Sequence, residues 1–272
     1  MATLLRIGIT AGLIFLALPA FPADEPLRST PPIPFSPSEA CTSGPVTWGV
    51  PRNTESETVS VTSLLTPRKA EQAFERAEED FAGNDLHDAE KKVNTAIAIY
   101  PKSATAWCLM GTLREKQVQL DEAFTSYSRA LAIDSHLVPA YLGLARIAFR
   151  GHRWQEVVRL TEKVMSLNPL GSPVAYLYNA AANFNQADLH AAESSARRFQ
   201  ALDREHERPQ VYLLLADILA AEGDYAGAVE QEKLYLRIVP SDYAVRGIKE
   251  QINVWEGLRN RERASLAASG NN

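Results

Sequence analysis

The residues able to do chemistry in this chain are few and widely separated. Two cysteines, Cys41 and Cys108, and five histidines, His87, His136, His152, His190 and His206, are scattered through 272 residues. They cannot build a zinc ribbon, an iron–sulfur cluster or a disulfide framework. The sequence has no phosphate loop, dinucleotide fingerprint, zincin helix, nucleophile elbow or haem-attachment motif, so no catalytic residue, metal or cofactor is expected. The notable constellation is cationic. Leu142, Arg146, Phe149 and Arg150 stand at offsets 0, 4, 7 and 8, which places them on one face of a helix. Two guanidinium groups beside apolar surface suit the charge-assisted binding of carboxylates. The competing reading is packing for Phe149 and solvated surface for the arginines.

Composition sets the frame for those residues. Twenty-eight Lys and Arg against 33 Asp and Glu give a formal charge of −5, with 46 % hydrophobic residues. This is a globular balance with enough chain for a core, and without the basic surplus of a nucleic-acid or anionic-lipid binder.

The N-terminus reads as an export signal. Arg6 precedes an apolar run over 7–21, and small residues near Ala20 and Ala23 supply cut sites ahead of Asp24 and Glu25. The run is short for the ~20 residues needed to span a bilayer. The expectation is a cleaved signal over 1–23 and a periplasmic or extracellular protein without stable membrane insertion; an N-terminal anchor is the alternative. Residues 24–67 form a Pro-, Ser- and Thr-rich linker whose eight prolines forbid continuous helix. Within it only Thr58 to Thr62 alternates like a strand.

From Arg68 onward Ala, Leu, Glu and Arg dominate, and amphipathic helices are predicted. Ala89, Ala123, Val157, Ala192 and Ala228 recur at separations of 34, 34, 35 and 36, near the length of one helix-turn-helix unit. Other registers keep step. Twelve residues earlier stand Ala77, Gly111, Ala145, Ala180 and Ala216, all small; sixteen earlier stand Ala73, Trp107, Tyr141, Tyr176 and Tyr212, four of them aromatic. Small residues permit close helix approach, while Trp107 and Tyr127 are expected to wedge between units. Five units are drawn near 70–101, 104–135, 138–169, 173–204 and 209–240. A capping helix is expected over 241–256 from the stripe Ala244, Ile248, Ile252 and Trp255, with a frayed tail at 257–272.

These registers, with the Gly-Asp-Tyr turn at Gly223 to Tyr225 and closing prolines at 101, 169 and 240, resemble the tetratricopeptide repeat family. The resemblance implies an all-α, right-handed α-solenoid whose first helix in each unit lines a concave groove. The matching groove positions are Thr112, Glu115 and Lys116 in the second unit, and Leu177, Phe184 and Asn185 in the fourth. Phe74, Glu78 and Phe81 lie at one end and Asp217 at the other, making a groove basic and aromatic in its middle and more acidic at its ends. The family's clamp for C-terminal carboxylates is not expected, because Phe74 and Glu78 occupy its Lys and Asn positions. Cys41 and Cys108 are read as unpaired thiols; a bridge between them, permitted in an oxidising compartment, would pin the linker across the groove.

The function expected is a non-enzymatic scaffold or adaptor in an envelope or secreted complex. It would bind a protein or peptide through Lys116, Leu142, Arg146, Phe149, Arg150, Phe184 and Asn185. An accessory subunit or small-ligand carrier for an envelope enzyme or transporter is the alternative. Exchange of both Arg146 and Arg150 for Glu is expected to leave the fold intact, since helix propensity barely changes.

Overall fold

The computed structural model describes residues 66–240 and 245–269. The expected signal, the strand-like stretch at 58–62 and Cys41 lie outside them. The described residues form eleven helices: α1 (Arg68–Ala82), α2 (Leu86–Ile99), α3 (Ala104–Lys116), α4 (Leu120–Ile133), α5 (Val138–Arg150), α6 (Trp154–Leu167), α7 (Pro173–Asn185), α8 (Leu189–Leu202), α9 (Gln210–Ala221), α10 (Tyr225–Ile238) and α11 (Val245–Ser269). Each packs on its chain neighbours, and the first helix of each pair also touches the first helix of the next. The fold is an α-solenoid of helix-turn-helix repeats closed by a final helix.

The repeat exists because close packing at fixed positions recurs. Ala89, Ala123, Val157, Ala192 and Ala228 are fully buried, as are Ala77, Ala145, Ala180 and Ala216, so the helices of a unit approach where side chains are shortest. Inner and outer helices differ in kind. Helix α4 buries one stripe of Ala123, Ser126, Tyr127 and Ala130, whereas α3 is buried on several sides, Cys108, Thr112 and Glu115 included.

The turn inside each unit is also periodic. Asn84, Val118, His152, Ala187 and Gly223 all have positive φ, between 52° and 88°, and the next residue donates its N–H five residues back. Asp85 bonds Asp80 at 2.8 Å, Gln119 bonds Arg114 at 2.9 Å, and Asp224 bonds Leu219 at 2.8 Å. This left-handed helix stop satisfies carbonyls that would otherwise be orphaned. Asp85, Asp188 and Asp224 then cap the following helix through their carboxylates.

Two expectations change. Tyr127 is a buried wedge, but Trp107 is half-exposed and donates its indole N–H to the Pro101 carbonyl at 2.9 Å. Tyr141 and Tyr176 likewise donate to the Ser135 and Pro169 carbonyls, both at 3.1 Å. This aromatic register therefore ties each unit to the chain closing the one before; a large ring carrying a donor reaches a backbone acceptor rather than filling the core. The last helix is also longer than the sequence expectation, because residues 257–269 contain no proline and only one glycine, Gly257, and remain helical to Ser269. Ile248, Ile252 and Trp255 are buried, and Glu256 pairs with Lys233 of α10 at 2.7 Å.

Val118 has a β-branched side chain, a φ of 62° and 73 % exposure. It bears the steric cost of the left-handed region, roughly 1–2 kcal/mol, without compensating burial. Val118→Asn, a residue tolerated there, should raise the thermal midpoint by a few degrees. An unchanged or lower midpoint would show that this turn is not strained.

Candidate partner-binding groove

The face shared by Leu142, Arg146, Phe149 and Arg150 is real, but its members have different roles. Arg146, at 3 % exposure, is interior. Its Nη2 donates to Glu115 Oε2 at 2.9 Å and its Nε to Glu115 Oε1 at 3.1 Å, a bidentate pair between the inner helices α3 and α5. Tyr127 of α4 completes the cluster: its hydroxyl donates to Glu115 Oε2 at 3.1 Å and lies 3.3 Å from Arg146 Nη2. Burial pushes the Tyr127 phenol well above its ordinary range; Arg146 opposes that shift and Glu115 reinforces it. For Arg146, burial disfavours the charge, but Tyr127 and Glu115 outweigh it and hold the guanidinium protonated. A change of Arg146 to Glu would set a second buried carboxylate against Glu115. The expectation that the fold tolerates it is corrected on that ground.

The cluster has a matching steric seat. A Cβ built on Gly111 would stand 2.7 Å from the Tyr127 ring, and one on Gly143 would overlap it outright. The ring therefore fills the space left by two glycines on successive inner helices. The next unit replaces this seat with Asn179, which donates to Thr161 Oγ1 at 2.9 Å and accepts from Ser195 Oγ and Asn183 Nδ2, both at 2.8 Å.

Leu142 is buried. Phe149 packs edge-on against Trp154 and Tyr178, with ring centroids 5.2 and 5.3 Å away, a tie between units. The accessible part of the face is its rim. Lys116, Arg150 and Asn185 are the last residues of α3, α5 and α7, where cations complement the helix dipole. Arg150 is 46 % exposed in its side chain and reaches Glu115 Oε1 only at 3.7 Å. Lys116 Nζ stands 4.5 Å over the Phe81 ring. Asn185 is exposed and donates to the Ala181 carbonyl at 2.7 Å, while Phe184 beside it is half-buried. The first and fifth units end their inner helices in Ala82 and Ala221, so the polar rim belongs to the three middle units.

Cys108 is buried and disulfide-bonded, which corrects the reading of an unpaired thiol there. Among the described residues no cluster of three metal-ligating side chains occurs, and no helix is long and apolar enough to cross a membrane.

The tetratricopeptide repeat model matches residues 67–137 and 182–243. Solved structures share the fold at low identity. PilF of Pseudomonas aeruginosa is 16 % identical, over 71 % of this chain and 86 % of its own, with a TM-score of 0.61. YrrB, described as a TPR protein with an unusual peptide-binding site, is 16 % identical over 70 % of this chain and 96 % of its own, at 0.57. PilW, a type IV pilus biogenesis factor, is 18 % identical over 74 % and 95 %, at 0.58. No curated protein matches the chain.

The glycine seat can be tested with two substitutions. Gly143→Ala must displace the Tyr127 ring and should destabilise the protein by about 1–3 kcal/mol. In contrast, Gly247→Ala, in open space on α11, should stabilise it by about 0.5–1 kcal/mol through helix propensity. Denaturant midpoints that move together in one direction would contradict the packing described.

Proposed function

We propose that the chain, a member of the tetratricopeptide repeat family, is a protein-interaction scaffold that holds an extended acidic peptide segment along the ends of α3, α5 and α7. The family generally builds binding surfaces rather than catalytic centres, and no enzymatic step is part of this reading. The observation that carries it is the division of labour around Glu115. One carboxylate is bonded bidentately by Arg146 and only distantly approached by Arg150, so the two arginines and Glu115 carry a net positive charge. That charge emerges at Arg150, with Lys116 one unit away.

Phe149 and Phe184 supply apolar surface beside the cations, and Asn185 adds an amide capable of bonding a peptide backbone. Charge-assisted hydrogen bonds contribute about 1.5–3 kcal/mol each, so two or three suffice for selective binding of a preorganised segment. The compartment in this reading is periplasmic or extracellular. It is supported by the signal layout of 1–23 and by a disulfide at Cys108, a bond that persists in oxidising surroundings.

Lys116→Glu/Arg150→Glu reverses the rim while leaving the buried pair in place. On an array of ten-residue acidic and basic peptides, the natural chain should retain acidic sequences more weakly as salt rises. The double variant should lose them at least tenfold with its helical circular dichroism unchanged. Equal retention by both proteins would remove the rim from the binding site.

A further inference from the structure

We propose that segment 34–65 of this chain, tethered through a Cys41–Cys108 disulfide, docks along the inner-helix face of the second and third units and is the groove's own intramolecular ligand. This deepens the scaffold reading and rests on it, since it names an occupant for the same face. The covalent observation comes first. Cys108 is disulfide-bonded, no free cysteine occurs among the described residues, and the sequence holds one other cysteine, Cys41. Cys108 is not at an edge. It stands in α3 one turn before Thr112 and two before Glu115, on the face whose counterpart in α5 is Leu142.

Burial is the second observation. Cys108 and Leu142, at equivalent positions of α3 and α5, are both buried, whereas Thr112, Glu115 and Arg146 are covered from within the solenoid by Tyr127 of α4. The outer helix α4, by contrast, buries a single stripe.

The segment's chemistry fits the face it would cover. Pro34, Pro37, Pro45 and Pro51 exclude helix and favour an extended chain, the conformation that a groove between helix rows accepts. Its charged residues are Glu39, Glu55 and Glu57 against Arg52 alone, an acidic excess opposite Lys116 and Arg150, with Glu39 two residues from the tether. The stretch from Cys41 to Thr66 can extend to roughly 80 Å, several times the length of α1, so the geometry closes without strain.

The test uses the full chain as natural protein, as Cys41→Ser and as Cys41→Ser/Cys108→Ala. Alkylation of the denatured, unreduced natural protein should find no thiol, and peptide mapping should recover Cys41 joined to Cys108 within one chain. Amide hydrogen exchange in both variants should accelerate at least tenfold in α3 and α5 while α10 and α11 keep their protection. The same variants should bind the acidic peptides at least tenfold more tightly than the natural protein. Two free thiols, a bridge between chains, or exchange that is unchanged or raised evenly over all helices would overturn the docking. A selective rise in α3 and α5 without tighter peptide binding would uphold the docking and count against the acidic-peptide reading alone.

Discussion

A buried carboxylate with nowhere to go but its guanidinium partner fixes the middle of this solenoid. Glu115 is 2 % exposed, and removing such a charge from water costs several kcal/mol unless geometry and hydrogen bonds compensate. Arg146 meets it bidentately and Tyr127 supplies a further donor, so three consecutive helices, α3, α4 and α5, are held to one arrangement. That arrangement requires the ring of Tyr127 between Gly111 and Gly143. It also leaves Arg150, one turn beyond Arg146, at the end of its helix with only a long contact to the same carboxylate. The accessible charge of the groove follows from an interior pair that already neutralises the first arginine.

Around this centre, stability is distributed as expected of a quasi-one-dimensional array, in which each unit contacts only its neighbours. The recurring devices are local: a left-handed stop in each hairpin, an aspartate cap, and an aromatic donor bonding back to the chain that closes the preceding unit. The fifth unit shows how an insertion is absorbed. Asp203 accepts from the Glu207 and Arg208 N–H groups at 3.0 and 3.1 Å, and Tyr212 Oη lies 3.0 Å from His206 Nδ1. The extra residues are thereby folded into a bonded turn, and the aromatic keeps its contact with the inter-unit chain.

Much of this was legible in the sequence because the determinants are small residues repeating at fixed intervals. Ala89, Ala123 and their counterparts mark the helix crossings without any long-range knowledge. The helix-face offsets likewise placed Leu142, Arg146, Phe149 and Arg150 together. What periodicity could not supply was depth. Arg146 and Arg150 lie one turn apart on the same helix, and only the neighbouring unit decides that one is interior and the other is rim. The available signal was an acidic residue, Glu115, 31 positions earlier, on the adjoining inner helix at nearly one repeat's separation. Trp107 was misassigned for a related reason: its register is aromatic, but its nitrogen finds a carbonyl only when the preceding unit is in place. The last helix runs on into the frayed tail expected at 257–272, an expectation that rested on terminal position, because the residues there are mostly good helix formers.

The buried pair allows a measurement that separates a structural ion pair from an incidental one. Unfolding free energies would be compared for the natural protein, Glu115→Gln, and Glu115→Leu/Arg146→Met. Glu115→Gln leaves a buried guanidinium without its counter-charge and should cost about 3–5 kcal/mol, whereas the apolar double replacement should recover most of that loss or exceed the natural stability. A single variant within about 0.5 kcal/mol of the natural protein, the range of ordinary surface changes, would contradict the account.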